Sequence, residues 1–332
     1  MTALSAEFTI GEGELMAHDV PLGCAPDEYD DLISGTCSHL PYNRDSAIDS
    51  PDDEKAFYWL KLAAEQGHCE AQYSLGQKYT EDKSRHKDNE QAIFWLKKAA
   101  LQGHTFASNA LGWTLDRGEA PNYKEAVVWY QIAAESGMSY AQNNLGWMYR
   151  NGNGVAKDYA LAFFWYKQAA LQGHSDAQNN LADLYEDGKG VAQNKTLAAF
   201  WYLKSAQQGN RHAQFQIAWD YNAGEGVDQD YKQAMYWYLK AAAQESVGAY
   251  VNIGYMYKHG QGVEKDYQAA FEWFTKAAEC NDATAWYNLA IMYHYGEGRP
   301  VDLRQALDLY RKVQSSGTRD VSQEIRETED LL

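Results

Sequence analysis

The 332-residue chain predicts an all-α solenoid, a superhelix of stacked antiparallel helix pairs. Two recurrences carry that reading. A tryptophan returns at Trp59, Trp95, Trp129, Trp165, Trp201, Trp237 and Trp273, with Leu309 in the last copy. An aliphatic residue followed by a small one returns at Leu75, Leu111, Leu145, Leu181, Ile217, Ile253 and Leu289. Both series step by 36 residues, and both shorten to 34 between the same two copies, which chance does not arrange. A fixed period of this length marks a helix-pair repeat whose units bury too little surface alone and must stack.

The elements follow in chain order. Residues 1–50 do not match the repeat and form an acidic N-terminal segment, with room for a divergent helix near Asp27–Ile33. Residues 1–54 carry 13 acidic side chains against one Arg, a net charge of −12. The solenoid proper is expected over 51–318. It starts with a half repeat at 52–66, for which Ser50 and Pro51 supply an N-cap and a first turn, and seven full repeats follow from about residue 71. Residues 319–332 read as a capping helix, with Val321, Ile325 and Leu332 at helical spacing on a charged segment. The body between the acidic flanks is nearly neutral, at −2.

One copy shows the logic. In AQNNLGWMY (141–149), Ala141, Leu145, Gly146 and Tyr149 fall on one helical face. In YALAFFWYKQAALQ (159–172), Ala162, Trp165, Ala169 and Ala170 form the packing stripe. Between them NGNGVAKD supplies a turn with two glycines suited to positive φ. Small residues at Gly76, Gly112, Gly146, Ala182, Ala218, Gly254 and Ala290 let a neighbouring helix approach, and the Trp of the second helix is expected to fill the space beside them. A glycine ends the second helix at 67, 103, 137, 173, 209 and 317, with Glu245 and Asn281 standing in for it twice.

The stretch AQNNLGWMYRNGNGVAKDYALAFFWYKQAALQGH (141–174) resembles the Sel1-like repeat, a relative of the tetratricopeptide repeat. The likeness recurs at 177–194, 213–230 and 286–302 and covers about 265 residues. The 80–89 and 116–122 loops lack the Gly-x-Gly-Val turn, and the paired cysteines of the cysteine-rich bacterial relatives are absent. The resemblance implies a scaffold or adaptor that binds a protein or peptide, in settings such as signalling or host interaction. By analogy with tetratricopeptide stacks, the face opposite the core on each first helix lines a concave groove.

The residues themselves offer little chemistry. The five Gly-x-Gly turns follow helices rather than strands and lack the Lys-Ser/Thr of a phosphate loop. His68, His104 and His174 read as surface turn residues beyond a helix end. His18, Cys24, Cys37 and His39 have the right residue types for zinc, but their spacing fits no familiar site, so no metal or cofactor is assigned. The Ser-x-x-Lys, Ser-Asp-Asn and Lys-Thr-Gly set of β-lactamases is missing, and a non-enzymatic protein is expected. The alternative is a hydrolase using loop carboxylates or the N-terminal Cys/His cluster. A net charge of −17 argues against nucleic acid. No apolar run reaches membrane-spanning length, no signal peptide is seen, and the four cysteines ignore the repeat period, so a cytoplasmic protein is expected.

What remains is surface. On the face of the first helices away from the core, one position holds Asn109, Asn143, Asn179, Phe215 and Tyr287, and another holds Trp113, Trp147, Asp183, Trp219 and Tyr255. These ten residues are the expected partner-binding groove. The three asparagines would bond a peptide backbone, and the aromatics would anchor its side chains.

Overall fold

A computed structural model describes residues 51–81, 86–118 and 120–332. Ser50, the Asp27–Ile33 segment and the His18/Cys24/Cys37/His39 group lie outside the described residues. Among those described there are sixteen helices and no strand. The opening half repeat is α1 (Pro51–Glu65). Seven pairs follow: α2 (Cys69–Thr80) with α3 (Asn89–Leu101), α4 (Thr105–Arg117) with α5 (Tyr123–Glu135), α6 (Ser139–Asn151) with α7 (Tyr159–Leu171), α8 (Ser175–Asp187) with α9 (Lys195–Gln207), α10 (Arg211–Ala223) with α11 (Tyr231–Ala242), α12 (Val247–His259) with α13 (Tyr267–Glu279), and α14 (Ala283–Tyr295) with α15 (Leu303–Ser316). Helix α16 (Ser322–Asp330) ends the stack. Each helix packs mainly on its chain neighbours, the one-dimensional contact pattern of a solenoid.

Local chemistry sets the boundaries. Asp88, Asp158, Asp230 and Asp266 each accept two backbone N–H groups at the start of a second helix, and Asn122, Asn194 and Asp302 accept one. The first glycine of each turn (152, 188, 224, 260 and 296) closes the first helix in the left-handed conformation. The second lies on the opening residue of the preceding repeat's second helix: a Cβ at Gly154 would collide with the Tyr123 carbonyl. These turns therefore serve repeat-to-repeat packing. His104 and His174 are N-caps as well as turn residues, each Nδ1 accepting the amide N–H three residues on, at 3.1 and 3.3 Å. Burial holds the His174 imidazole below its usual range, which keeps that nitrogen free to accept.

The core corrects one expectation. The side chain facing the small residue is the one after the tryptophan: a Cβ on Gly146 would sit 2.7 Å from Tyr166 Cδ1, and Gly112 and Gly254 meet Tyr130 and Phe274 in the same way. Tyr130, Tyr166, Tyr202, Tyr238 and Phe274 are fully buried, whereas the recurring tryptophans vary: Trp95, Trp129 and Trp237 are buried, Trp165, Trp201 and Trp273 are half-buried, and Trp59 is exposed. The helical period explains the shift, because one residue is 100° of turn and moves the ring from the edge of the stripe to its centre. Likewise Met148 is completely buried, while Tyr149 is intermediate.

A second device was not foreseen. Gln72, Gln142, Gln178 and Gln214 are buried, and each donates Nε2 to a carbonyl of the preceding second helix (Ala64, Ala134, Ala170 and Ala206) at 3.0–3.2 Å. Their Oε1 atoms accept from Gln102, Gln172, Gln208 and Gln244 of the following second helix at 2.7–2.9 Å. One amide thus ties three helices. At the C-terminal end Val321 and Thr328 are buried and Ile325 packs beside them, but Leu332 is exposed.

Glu245 and Asn281 hold the place of the helix-ending glycine with φ of 62° each. A left-handed L-residue costs about 1–2 kcal/mol, against which glycine loses about 0.4–1 kcal/mol of unfolded-state entropy. Glu245→Gly is therefore expected to stabilise the chain by about 1 kcal/mol. Asn281→Gly should gain less, since asparagine tolerates that conformation better. Urea titration of the two variants checks the order.

Candidate protein-interaction surface

The first helices form a row in which successive members bond to one another. Asn144 Nδ2 donates to Asn109 Oδ1 at 3.2 Å, and Asn180 Nδ2 donates to Asn143 Oδ1 at 3.0 Å. These bonds join Asn144 to Asn109 and Asn180 to Asn143, and they do not link Asn109, Asn143 and Asn179 to one another, so the carbonyl oxygens of Asn109 and Asn143 are used between repeats. Among the described residues their NH₂ groups donate no hydrogen bond. Asn179 is buried, and its Oδ1 accepts no hydrogen bond from the described residues.

The aromatic positions separate into two kinds. Trp113, Trp147, Trp219 and Tyr255 are all 42–46% exposed, at a repeat position where the core asks for nothing. Arg117 lies 5.3 Å from the Trp113 ring centre, and the His259 ring lies tilted 4.1 Å from that of Tyr255. Asp183 and Tyr287 are committed elsewhere. Asp183 pairs with Arg150 at 3.0 Å and accepts the Tyr202 hydroxyl at 2.8 Å. Tyr287 lies under the C-terminal cap, with Arg319 4.0 Å from its ring and a bond to Glu324. Phe215 is half-buried against Gly248.

Tyr140 lies on this same face of α6. Its equivalent one copy earlier is Phe106, and both are about 60% exposed, at 62% and 58%. Phe106, Asn109 and Trp113 thus lie at i, i+3 and i+7 on one stripe, as do Tyr140, Asn143 and Trp147. That spacing was the available signal. Tyr73, Gln77, Phe106, Asn109, Trp113 and Met138 enclose a depression of about 250 Å³ at the start of the row. Its lining is aromatic rings, the Asn109 and Gln77 amides and the Met138 side chain.

One buried carboxyl departs from the pattern. Asp220 stands where other copies have Met148, Leu184, Met256 and Met292, and it is 4% exposed. Burial first, and then the charges of Glu186 and Glu225, push its pKa up to about 8, with Lys195 opposing. Nearby, the Tyr238 hydroxyl is also buried without a partner. The folded chain thus holds a proton that the unfolded chain releases near 3.8. This costs stability progressively as pH rises from that value to about 8, and the cost is constant above it. At about 1.4 kcal/mol per pH unit, Asp220→Met should stabilise the protein by roughly 3 kcal/mol more at pH 8 than at pH 5.5. Thermal melts of both proteins at the two pH values measure that difference.

No described helix is long and apolar enough to cross a membrane. The architecture is that of a helical-repeat solenoid whose first helices present an aromatic and amide-rich face. A family model described as the Sel1 repeat matches eight segments: 47–68, 69–104, 105–138, 139–174, 175–210, 211–246, 247–282 and 283–312. The chain belongs to the Sel1 repeat family. It is similar to the crystal structure of c5321, a protective antigen present in uropathogenic Escherichia coli strains that displays an SLR fold. The two share 35% identity at a TM-score of 0.73, over 79% of this chain and 56% of that one. The chain therefore spans just over half the length of that relative. It is also similar to a Sel1 repeat protein from Oxalobacter formigenes, with 33% identity and a TM-score of 0.60 over 64% of this chain and 86% of that one.

Proposed function

We propose that this protein is a non-enzymatic scaffold or adaptor that holds an extended segment of a partner protein along the row of first helices. One observation carries the reading. Trp113, Trp147 and Trp219 are exposed at a position that the core does not fill, and an exposed Gln77 occupies it in the first pair. Large rigid aromatics kept in water without a structural reason are typical interface anchors. The free NH₂ groups of Asn109 and Asn143 would meet the backbone carbonyls of the bound segment, and Phe106, Tyr140 and Tyr255 would extend the apolar contact. Asp183, Phe215 and Tyr287 would border the groove, and Asn179 would back it. The negative net charge favours a protein partner over nucleic acid, and in this reading the protein works in the cytoplasm, with Cys69 and Cys280 as free thiols.

The test is replacement of Trp113 and Trp147 together by Ala in the full chain. Partner capture from the native host should weaken by about 30-fold or more, with helical content and melting temperature nearly unchanged. Unaltered capture would overturn the reading, and collapse of the fold would assign these rings to packing.

A further inference from the structure

A second row of exposed aromatics lies on the other helices. The residue before the repeat tryptophan is Tyr58, Phe94, Val128, Phe164, Phe200 and Tyr236 in six successive copies, and each is about half exposed (47–57%). The fold does not ask for this, because Glu272 and Asp308 hold the position in the last two copies. The rings are held in place. Phe94, Phe164, Phe200 and Tyr236 each stand edge-on to the adjoining tryptophan at centroid distances of 4.9–5.1 Å. The open side of the row faces solvent.

On the three helices that carry Phe164, Phe200 and Tyr236 the charge has one sign. Helices α7, α9 and α11 contain Lys167, Lys195, Lys204, Lys232 and Lys240 and no acidic residue at all. Lys195 is committed to Glu225. Lys204 and Lys240 are exposed and lean over the Phe200 and Tyr236 rings, with the ammonium 5.7 and 5.6 Å from the ring centres. Exposed Lys232 flanks Tyr236 one turn earlier. Each second helix contributes one such ring per repeat of the stack, so the row is long and one side chain wide. That shape suits a linear chain better than a plane. A flat bilayer would also meet Glu125 and Glu135 of α5 and Glu272 and Glu279 of α13, at either end of the basic stretch.

We propose that the row Phe164, Phe200 and Tyr236, with Lys204, Lys232 and Lys240, is a second docking surface, and that it takes an acidic polypeptide segment carrying apolar side chains from a partner protein. Carboxylates of the segment meet the lysines, and its apolar side chains lie on the rings, where cation and ring already stand together. This surface is on different helices from the Trp113–Trp219 row, so it stands or falls independently of the function proposed for that row.

The probe is a fluorescein-labelled peptide of repeated Glu-Glu-Phe units, titrated by anisotropy against the full-length protein. Binding should weaken with ionic strength. It should fall about tenfold or more in Phe164→Glu/Phe200→Glu and also in Lys204→Glu/Lys240→Glu. It should be unchanged in Trp113→Ala/Trp147→Ala. Glutamate already occupies the equivalent place at Glu272, so the variants should keep the native melting temperature, and agreement between the two pairs excludes a folding artefact. Three results overturn the proposal: no loss in either pair, sedimentation with phosphatidylserine vesicles without peptide binding, or carbodiimide cross-links in the unliganded chain joining Lys204 or Lys240 to carboxylates within residues 1–50. The last would mean that the chain's own acidic segment takes the row.

Discussion

The stack depends on one contact, the aromatic ring of a second helix packed closely against the small residue of the first helix of its own pair. At Gly146 the Tyr166 ring approaches so closely that even a methyl group would press into it. The same ring position is fully buried in copy after copy, as Tyr130, Tyr166, Tyr202, Tyr238 and Phe274. Dispersion and area burial at each such site are large because a whole ring face is covered. Since each pair meets only its neighbours, this contact sets the angle within the pairs that have the ring, Leu96 takes its place in the first pair, and the four glutamine amides brace the spacing between pairs. A scaffold fixed this way leaves most of its outward-facing positions unassigned, which is where recognition can be placed without disturbing the fold.

Much of this was legible in the sequence, for a definite reason. A repeat prints the same physical demand several times, so residues that obey it stand out from those that do not. The two anchor series gave the helix pairs and the left-handed helix ends, including the substitutes Glu245 and Asn281, whose φ is indeed positive. The identity of the core ring was misread, because Trp165 and Tyr166 are adjacent, both aromatic and both recurrent. Hydrophobicity alone cannot choose between them, and only the 100° between neighbours in a helix does so. The glutamine ladder was invisible for a related reason: Gln72 and its equivalents are polar and look like surface, until three helices are seen converging on one amide.

The candidate surface was legible in outline and not in detail. Periodicity separates Trp113, Trp147 and Trp219 from the scaffold, but it cannot show that Asp183 is tied to Arg150 and Tyr202, or that Tyr287 lies beneath the cap helix. Those are contacts across 19–37 residues, set by the superhelix and not by local spacing. The outer row of Phe164, Phe200 and Tyr236 escaped because it sits directly beside the recurring tryptophan, and a residue next to a strong anchor is easily absorbed into it.

The central claim is that the repeat fixes one side chain and leaves its neighbour free. Residues 146 and 147 put it to a direct test, since they are adjacent on α6 and face opposite demands. Thermal unfolding of Gly146→Leu and Trp147→Leu, measured side by side, should give a fall of more than about 5 °C for the first, from overpacking against Tyr166 worth roughly 2–3 kcal/mol, and a change within about 2 °C for the second. Equal losses at both positions would contradict the account, because Trp147 would then belong to the core.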